Sequence, residues 1–294
     1  VTIIRSQFSP SGIWKNPHVQ TIAASKIFRP EKISTKPERL ELADGDYIDV
    51  QWSEHQSDHI VALFHGLAGC IDSPYIQGAF HTLTAKGFSP VLMHWRGCSG
   101  QPNRLARAYH SGASDDIKWF VEHLAERFPS QPLYAIGYSL GGNALLKYLG
   151  EQGRNSGLTA AMAVSPPLVL EEGANKLNTG LAKVYQRYLL KLMRNQHERK
   201  RLQYPDLQLT SAGANLDTFW KFDDAITAPL HGFKDVYDYY FTAAILPTED
   251  ELSDTCTLEL SDYGGHVGFL KKGKRWLDDR VSQVLANQRS HHAN

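Results

Sequence analysis

Little in this sequence points outward. It has only three cysteines, Cys70, Cys98 and Cys256, too few and too scattered for a disulfide framework or a zinc site. They fit a reducing compartment. Charge of neither sign dominates, with acidic and basic residues at 31 each, which argues against a nucleic-acid surface or an acidic tail. No apolar run reaches transmembrane length, and no signal-peptide core is present. A cytoplasmic chain without a stable membrane anchor is the expectation. No amphipathic stretch argues for a membrane surface, and nothing indicates an oligomeric state.

What is present suits one α/β domain or a domain with an insertion: 294 residues, 42% hydrophobic. The chain is organised around Gly137-Tyr138-Ser139-Leu140-Gly141. Leu133 to Ile136 reads as a buried strand and Ala144 to Leu149 as a helix. Strand, sharp turn and helix form the setting of a nucleophile elbow. The helix N-terminus behind Ser139 favours developing negative charge.

In chain order, residues 1–37 read as an irregular, proline-bearing arm across the surface. Within it, Asn16-Pro17-His18-Val19-Gln20-Thr21 packs polar groups beside apolar ones. Alternation around Asp44-Gly45 predicts a hairpin. Ile60 to Phe64 is a buried strand leading into His65-Gly66-Leu67-Ala68-Gly69. A His-Gly turn there would add a backbone N–H, from Leu67, to that of Leu140 as an oxyanion hole. His65 reads as a prop for the loop, and Arg96 as a loop anchor.

Ile76, Phe80 and Leu83 mark a helix, Val91 to Trp95 a strand, and Ser114-Asp115-Asp116 a capped helix start. Ala160 to Val164 is the next strand. This alternation predicts a doubly wound, mostly parallel sheet with its site at the C-terminal strand ends.

Residues 168–244 break the rhythm and read as a helical cap, leaving 38–167 and 245–294 as the core. A helix is expected over Leu177 to Met193, with Leu181, Tyr185, Tyr188, Leu189 and Leu192 along one side. Arg199-Lys200-Arg201 reads as a solvated face, and an aromatic cluster spans Phe219 to Phe241. Cys256 to Leu260 reads as the last strand. It runs into Gly264-Gly265-His266-Val267-Gly268-Phe269, where His266 has the position of a general base in Ser…acid…His order.

These stretches together resemble the α/β-hydrolase superfamily, in the branch of YheT-type esterases. Eukaryotic abhydrolase-domain lipases and yeast medium-chain acyl-ester synthases belong to the same branch. The resemblance rests on Asn16 to Thr21, His65 to Gly69 with Asp72 to Tyr75, His94 to Ser99, and Gly137 to Asn143. Ser165 to Pro167, Tyr185 to Tyr188 and Gly264 to Phe269 complete it.

The resemblance also implies a further strand before the last one, ending in an Asp-Asp-Pro turn that carries the triad acid. This chain has no such turn, and only fourteen residues separate Phe241 from Cys256. A segment of about 25 to 30 residues, the size of a strand–loop–helix unit, is missing. Thr248 to Glu251 reads instead as a capping box. Glu171, Glu172, Asp235, Asp238, Glu249 and Asp250 are candidates for the acid, none at a persuasive spacing.

The expected activity is hydrolysis of small-molecule or lipid esters with short to medium acyl chains. Ser139 would be the nucleophile and His266 the base, with no metal or organic cofactor. Acyl transfer to an alcohol by the same groups is one alternative. A non-catalytic, acyl-binding descendant is the other.

Overall fold

A computed structural model describes residues 1–205, 215–244, 253 and 255–292, the last three by backbone alone. Its centre is a six-stranded sheet in the order β2-β3-β5-β4-β6-β7. The strands are β2 (Thr35–Glu41), β3 (Tyr47–Ser53), β4 (Ile60–Phe64), β5 (Ser89–Met93), β6 (Leu133–Tyr138) and β7 (Ala160–Val164). β4 to β7 run parallel, while β2 and β3 pair antiparallel at one edge. The sheet is therefore mixed and mostly parallel.

Side chains alternate across the sheet, and helices cover both faces. Ala62 and Phe64 of β4 pack with Ile117, Phe120 and Leu124 of α3 (Ser114–Arg127) and Leu145 of α4 (Leu140–Gln152). Val61 and Leu63 face the other way, onto Ile76, Phe80 and Leu83 of α2 (Pro74–Ala85) and Leu277, Val281 and Leu285 of α10 (Trp276–His292). The expected Ser114-Asp115-Asp116 cap makes no side-chain capping bond; Ala113 occupies the N-cap position.

The insertion holds α5 (Leu170–Leu177), α6 (Ala182–Gln203), α7 (Phe219–Phe222), α8 (Ala228–Leu230) and α9 (Val236–Ala243). It has a core of its own, built on Leu190, Met193, Phe222, Ile226 and Tyr240. Most of the aromatic cluster is spent there, while Tyr237 and Phe241 are exposed. α6 begins later than the pattern predicts, after Gly180 at φ 48°. It buries Gln186, Leu190, Met193 and Lys200 rather than the Leu181–Tyr188 stripe. The basic run is also corrected at one position. Lys200 is buried and donates to the carbonyls of Asn103 (2.8 Å) and Leu105, and burial pulls its ammonium down to about 8.

Two further expectations change. Residues 1–37 are not irregular: they hold β1 (Thr2–Arg5) and α1 (Pro17–Lys26). Asn16 caps α1, accepting from the amides of His18 (2.9 Å) and Val19 (3.2 Å), with Pro17 at the first helical position. β8 (Thr257–Leu260) is a strand, but it pairs with β1 in a separate two-stranded ribbon. Among the described residues no strand lies between β7 and β8 through which β8 could join the central sheet. Half-buried β7 is left at the sheet edge.

Arg96 anchors its loop as expected. It is buried and donates to Asp44 (2.8 Å), Asp46 (2.9 Å) and Asp116 (2.7 and 3.0 Å). Removing the cation leaves buried carboxylates uncompensated. Arg96→Met is expected to lower stability by about 3–5 kcal/mol in urea unfolding. A loss below about 1 kcal/mol, the level of an exposed pair, would contradict this role.

Candidate active site

The elbow forms because two glycines allow backbone to pass backbone. A Cβ on Gly137 would collide with the main chain of Gly141 and Gly142, and one on Gly141 with the carbonyls of Phe64 and His65. That closeness drives Ser139 to φ 52°, ψ −120°, a conformation a non-glycine residue rarely adopts. Its amide donates to the Val164 carbonyl (2.9 Å). The side chain stands half-buried at the C-terminal end of β6, at the head of α4.

The 65–69 loop reaches the same point from β4. Gly66 is so near that a Cβ on it would lie 3.1 Å from that of Ser139. The Gly66 N–H donates to the Tyr75 hydroxyl (2.9 Å) and the Ala68 N–H to that of Tyr109 (2.8 Å). Between them, the Leu67 N–H has no hydrogen bond among the described residues; nor has that of Leu140, at the first turn of α4. Such orphan donors at a helix start suit an anion.

His65 is fully buried. Its Nε2 accepts from the Trp95 amide (3.2 Å), so Nδ1 carries the proton and donates to the Gly66 carbonyl (2.7 Å). Burial pushes it down to about 3, and it acts as the neutral prop the sequence suggests.

His266 meets Ser139: its Nε2 lies 2.7 Å from the serine Oγ. The loop that carries it is held by α1. The His266 amide donates to Thr21 Oγ1 (3.0 Å). Gln20, fully buried, accepts from the Leu270 amide (2.6 Å) and donates to the Leu270 carbonyl (3.0 Å). Arg275 closes the other end of α1 by donating to the carbonyls of Ala24 (2.8 Å) and Phe28 (3.2 Å). The arm motif is thus a clamp on the histidine loop. Its helix signal, Asn-Pro at the start, was present in the sequence; its partners, some 245 residues away, were not.

The second nitrogen of His266 has no carboxylate partner among the described residues. His266 is solvent-exposed as a residue, yet the atoms crowding its ring at Ser139 lower its pKa by desolvation, and no charged neighbour among the described residues offsets this. Glu171 and Glu172 are exposed in the first turn of α5. Asp235 caps α9 by accepting from the Asp238 amide (2.9 Å), and Asp238 accepts from that of Lys234 (2.9 Å). Glu249, Asp250 and the Thr248 to Glu251 capping box lie outside the described residues.

A narrow cavity of about 80 Å³ borders Leu67 beneath the insertion, lined by Tyr109, Met193, Phe222, Ile226 and Leu230 among others. A larger one, of about 480 Å³, lies among Arg107, His110, Lys147 and His231; neither cavity is lined by Ser139 or His266.

A strained serine on a strand–turn–helix, two amides beside it without a partner among the described residues, and a histidine at its Oγ form the arrangement of an α/β-hydrolase. The Hydrolase_4 family model, described as serine aminopeptidase S33, matches residues 55–215. The YheT protein of Escherichia coli (strain K12) is 36% identical over 95% of this chain and 93% of its own length. The chain therefore belongs to the α/β-hydrolases, in the YheT-type esterase branch. Monoacylglycerol lipase of Saccharomyces cerevisiae is 26% identical, over 81% of this chain and 61% of its own. The esterase PF2001 of Pyrococcus furiosus shares the fold, with a TM-score of 0.53 at 16% identity, over 96% of this chain and 98% of its own. The alignment with YheT runs over 316 residues against the 294 of this chain, so YheT has residues without a counterpart here, in keeping with a missing segment.

The clamp makes a prediction. Thr21→Val removes the acceptor for the His266 amide and should slow fluorophosphonate labelling of Ser139 about tenfold, the worth of one net hydrogen bond. Thr21→Ser should retain the parent rate. Equal rates for Val and parent would show that Thr21 does not position the loop.

Proposed function

We propose that this chain is a serine ester hydrolase that works through Ser139 and His266 without the usual carboxylate. The observation that carries the reading is the 2.7 Å contact between His266 Nε2 and Ser139 Oγ, beside two unpaired amides. Ser139 gives its proton to His266 Nε2 as Oγ bonds to the ester carbonyl carbon. The amides of Leu67 and Leu140 take the oxyanion. His266 returns the proton to the leaving alcohol, and water, activated in the same way, frees the acid. The small cavity bordering Leu67, with a mostly apolar surface, supports an acyl site on that side of the oxyanion donors and favours the short end of a short- to medium-chain range.

A triad acid orients the histidine and stabilises its cation, and loss of that help costs about 10⁴ in rate. Against a typical turnover of about 10 s⁻¹, the expectation is about 10⁻³ s⁻¹. With p-nitrophenyl esters from acetate to decanoate, the parent should turn over at that level, with a preference among the shorter chains. Ser139→Ala should be inactive. A flat chain-length profile would remove the acyl-pocket assignment. Equal rates for parent and Ser139→Ala would remove the hydrolase itself.

The absence of a described carboxylate at His266 favours a second reading, an acyl-binding descendant without turnover. Failure of a fluorophosphonate to label the folded parent would select it. Acyl transfer to an alcohol uses the same acyl-enzyme; ethyl esters formed in added ethanol would reveal it.

A further inference from the structure

α6 and its N-cap leave several large apolar side chains uncovered. Its packed side is Gln186, Leu190 and Met193, yet Leu181, Val184 and Tyr188 are 65%, 58% and 51% exposed. These three recur at i, i+3, i+7 and so share one face. Beside them Lys183, Arg187 and Lys191 form a second row at i, i+4, i+8, all exposed and without an ion pair among the described residues. One helix thus shows solvent an apolar row flanked by a cationic row. That pattern marks a helix lying in a membrane interface.

α1 widens the patch. His18 stacks on Tyr185 at 5.8 Å, and the Lys26 ammonium lies 4.7 Å over the Tyr188 ring. Ile22, one turn from each, is 48% exposed between them. The two helices therefore lie side by side with Ile22, Leu181, Val184 and Tyr188 on a common surface. Charge reinforces this. Residues 6–30 and 173–197 contain no aspartate or glutamate, although the chain as a whole is neutral. The cations on the two helices beside the apolar residues are Lys26, Lys183, Arg187 and Lys191. Thr21 of the same α1 holds the His266 loop, so the face borders the candidate site.

From these observations we infer that the α1–α6 face docks on an anionic phospholipid surface. The aliphatic side chains enter the headgroup boundary and the lysines and arginines pair with lipid phosphates. The sequence alone hid this because the apolar residues of α6 read as one stripe bound for the core. A second protein chain would fit the apolar residues, but the unpaired, single-sign cations around them favour a negatively charged sheet. The inference does not depend on the hydrolase reading, since docking is measured without turnover.

The test is co-sedimentation of the full chain with vesicles of equal parts phosphatidylcholine and phosphatidylglycerol, with pure phosphatidylcholine as the comparison. The parent should bind the anionic vesicles, more weakly as salt rises, and pure phosphatidylcholine far less. Each cation at the surface is worth about a factor of five. The triple variant Lys183→Glu/Arg187→Glu/Lys191→Glu removes three cations and adds three repelling carboxylates, and should therefore lose at least roughly a hundredfold in affinity. Leu181→Ser/Val184→Ser should also weaken binding, while Lys118→Glu on the exposed side of α3 should not. All these positions are exposed, and matching melting curves establish that the variants fold. Three results overturn the inference: no binding of the parent to anionic vesicles, undiminished binding of the triple variant, or a concentration-dependent dimer dispersed by Leu181→Ser/Val184→Ser, which would make a second copy the occupant.

Discussion

His266 stands 2.7 Å from Ser139 on a loop that no strand of the central sheet delivers. The strand before it, β8, belongs to a ribbon with β1. What positions the loop is α1, through Thr21 to the His266 amide, Gln20 to both backbone groups of Leu270, and Arg275 to the end of the helix. The buried Gln20 amide is the firmest of these, because leaving either of its partners unsatisfied in the interior costs about 1–3 kcal/mol. The serine side needs no such help. Its geometry follows from backbone passing backbone at Gly137 and Gly141, which no side chain could permit.

The two halves of the site therefore rest on different physics. Ser139, Leu67 and Leu140 are set by the parallel sheet and its crossovers, a rigid frame with β4 and β6 side by side. His266 is set by contacts between the two ends of the chain. The difference coincides with the short stretch between Phe241 and Cys256, where the family pattern has a further strand. Where that strand would extend the sheet beyond β7, the described residues place none, and the acid it would carry has no described replacement. In the proposed reading the site keeps a nucleophile, a base and oxyanion donors, and among the described residues it has no carboxylate to fix the imidazole tautomer and steady its cation.

Much of this was legible in the sequence, and the reasons are local. The strands Ile60–Phe64 and Ala160–Val164 were readable because short apolar runs between turn residues have few other uses. The elbow was readable because Gly-x-Ser-x-Gly encodes a steric demand. The short spacing from Phe241 to Cys256 was visible too, although which residue serves as the acid, if any, was not. The failures were long-range. Nothing near Gln20 or Thr21 announces Leu270 or His266, and no periodicity says that β8 pairs with β1. The apolar residues of α6 could be counted but not divided between core and solvent. Lys200 looked like its solvated neighbours until Asn103 and Leu105 were seen to accept from it.

The central claim is a serine–histidine pair without a carboxylate, and the protonation of His266 tests it most directly. Burial alone lowers an imidazole's pKa, because it disfavours the cation; an adjacent carboxylate raises it. Nuclear magnetic resonance of the histidine-labelled chain, with His266 assigned by the loss of its signal in His266→Gln, gives the titration midpoint. The account predicts a midpoint below the ordinary value of about 6.5, in line with a desolvated ring and no charged neighbour. The imidazole would then be neutral, and able to accept the Ser139 proton, throughout the neutral range. A midpoint clearly above 6.5 would contradict the account and reveal a carboxylate at its second nitrogen.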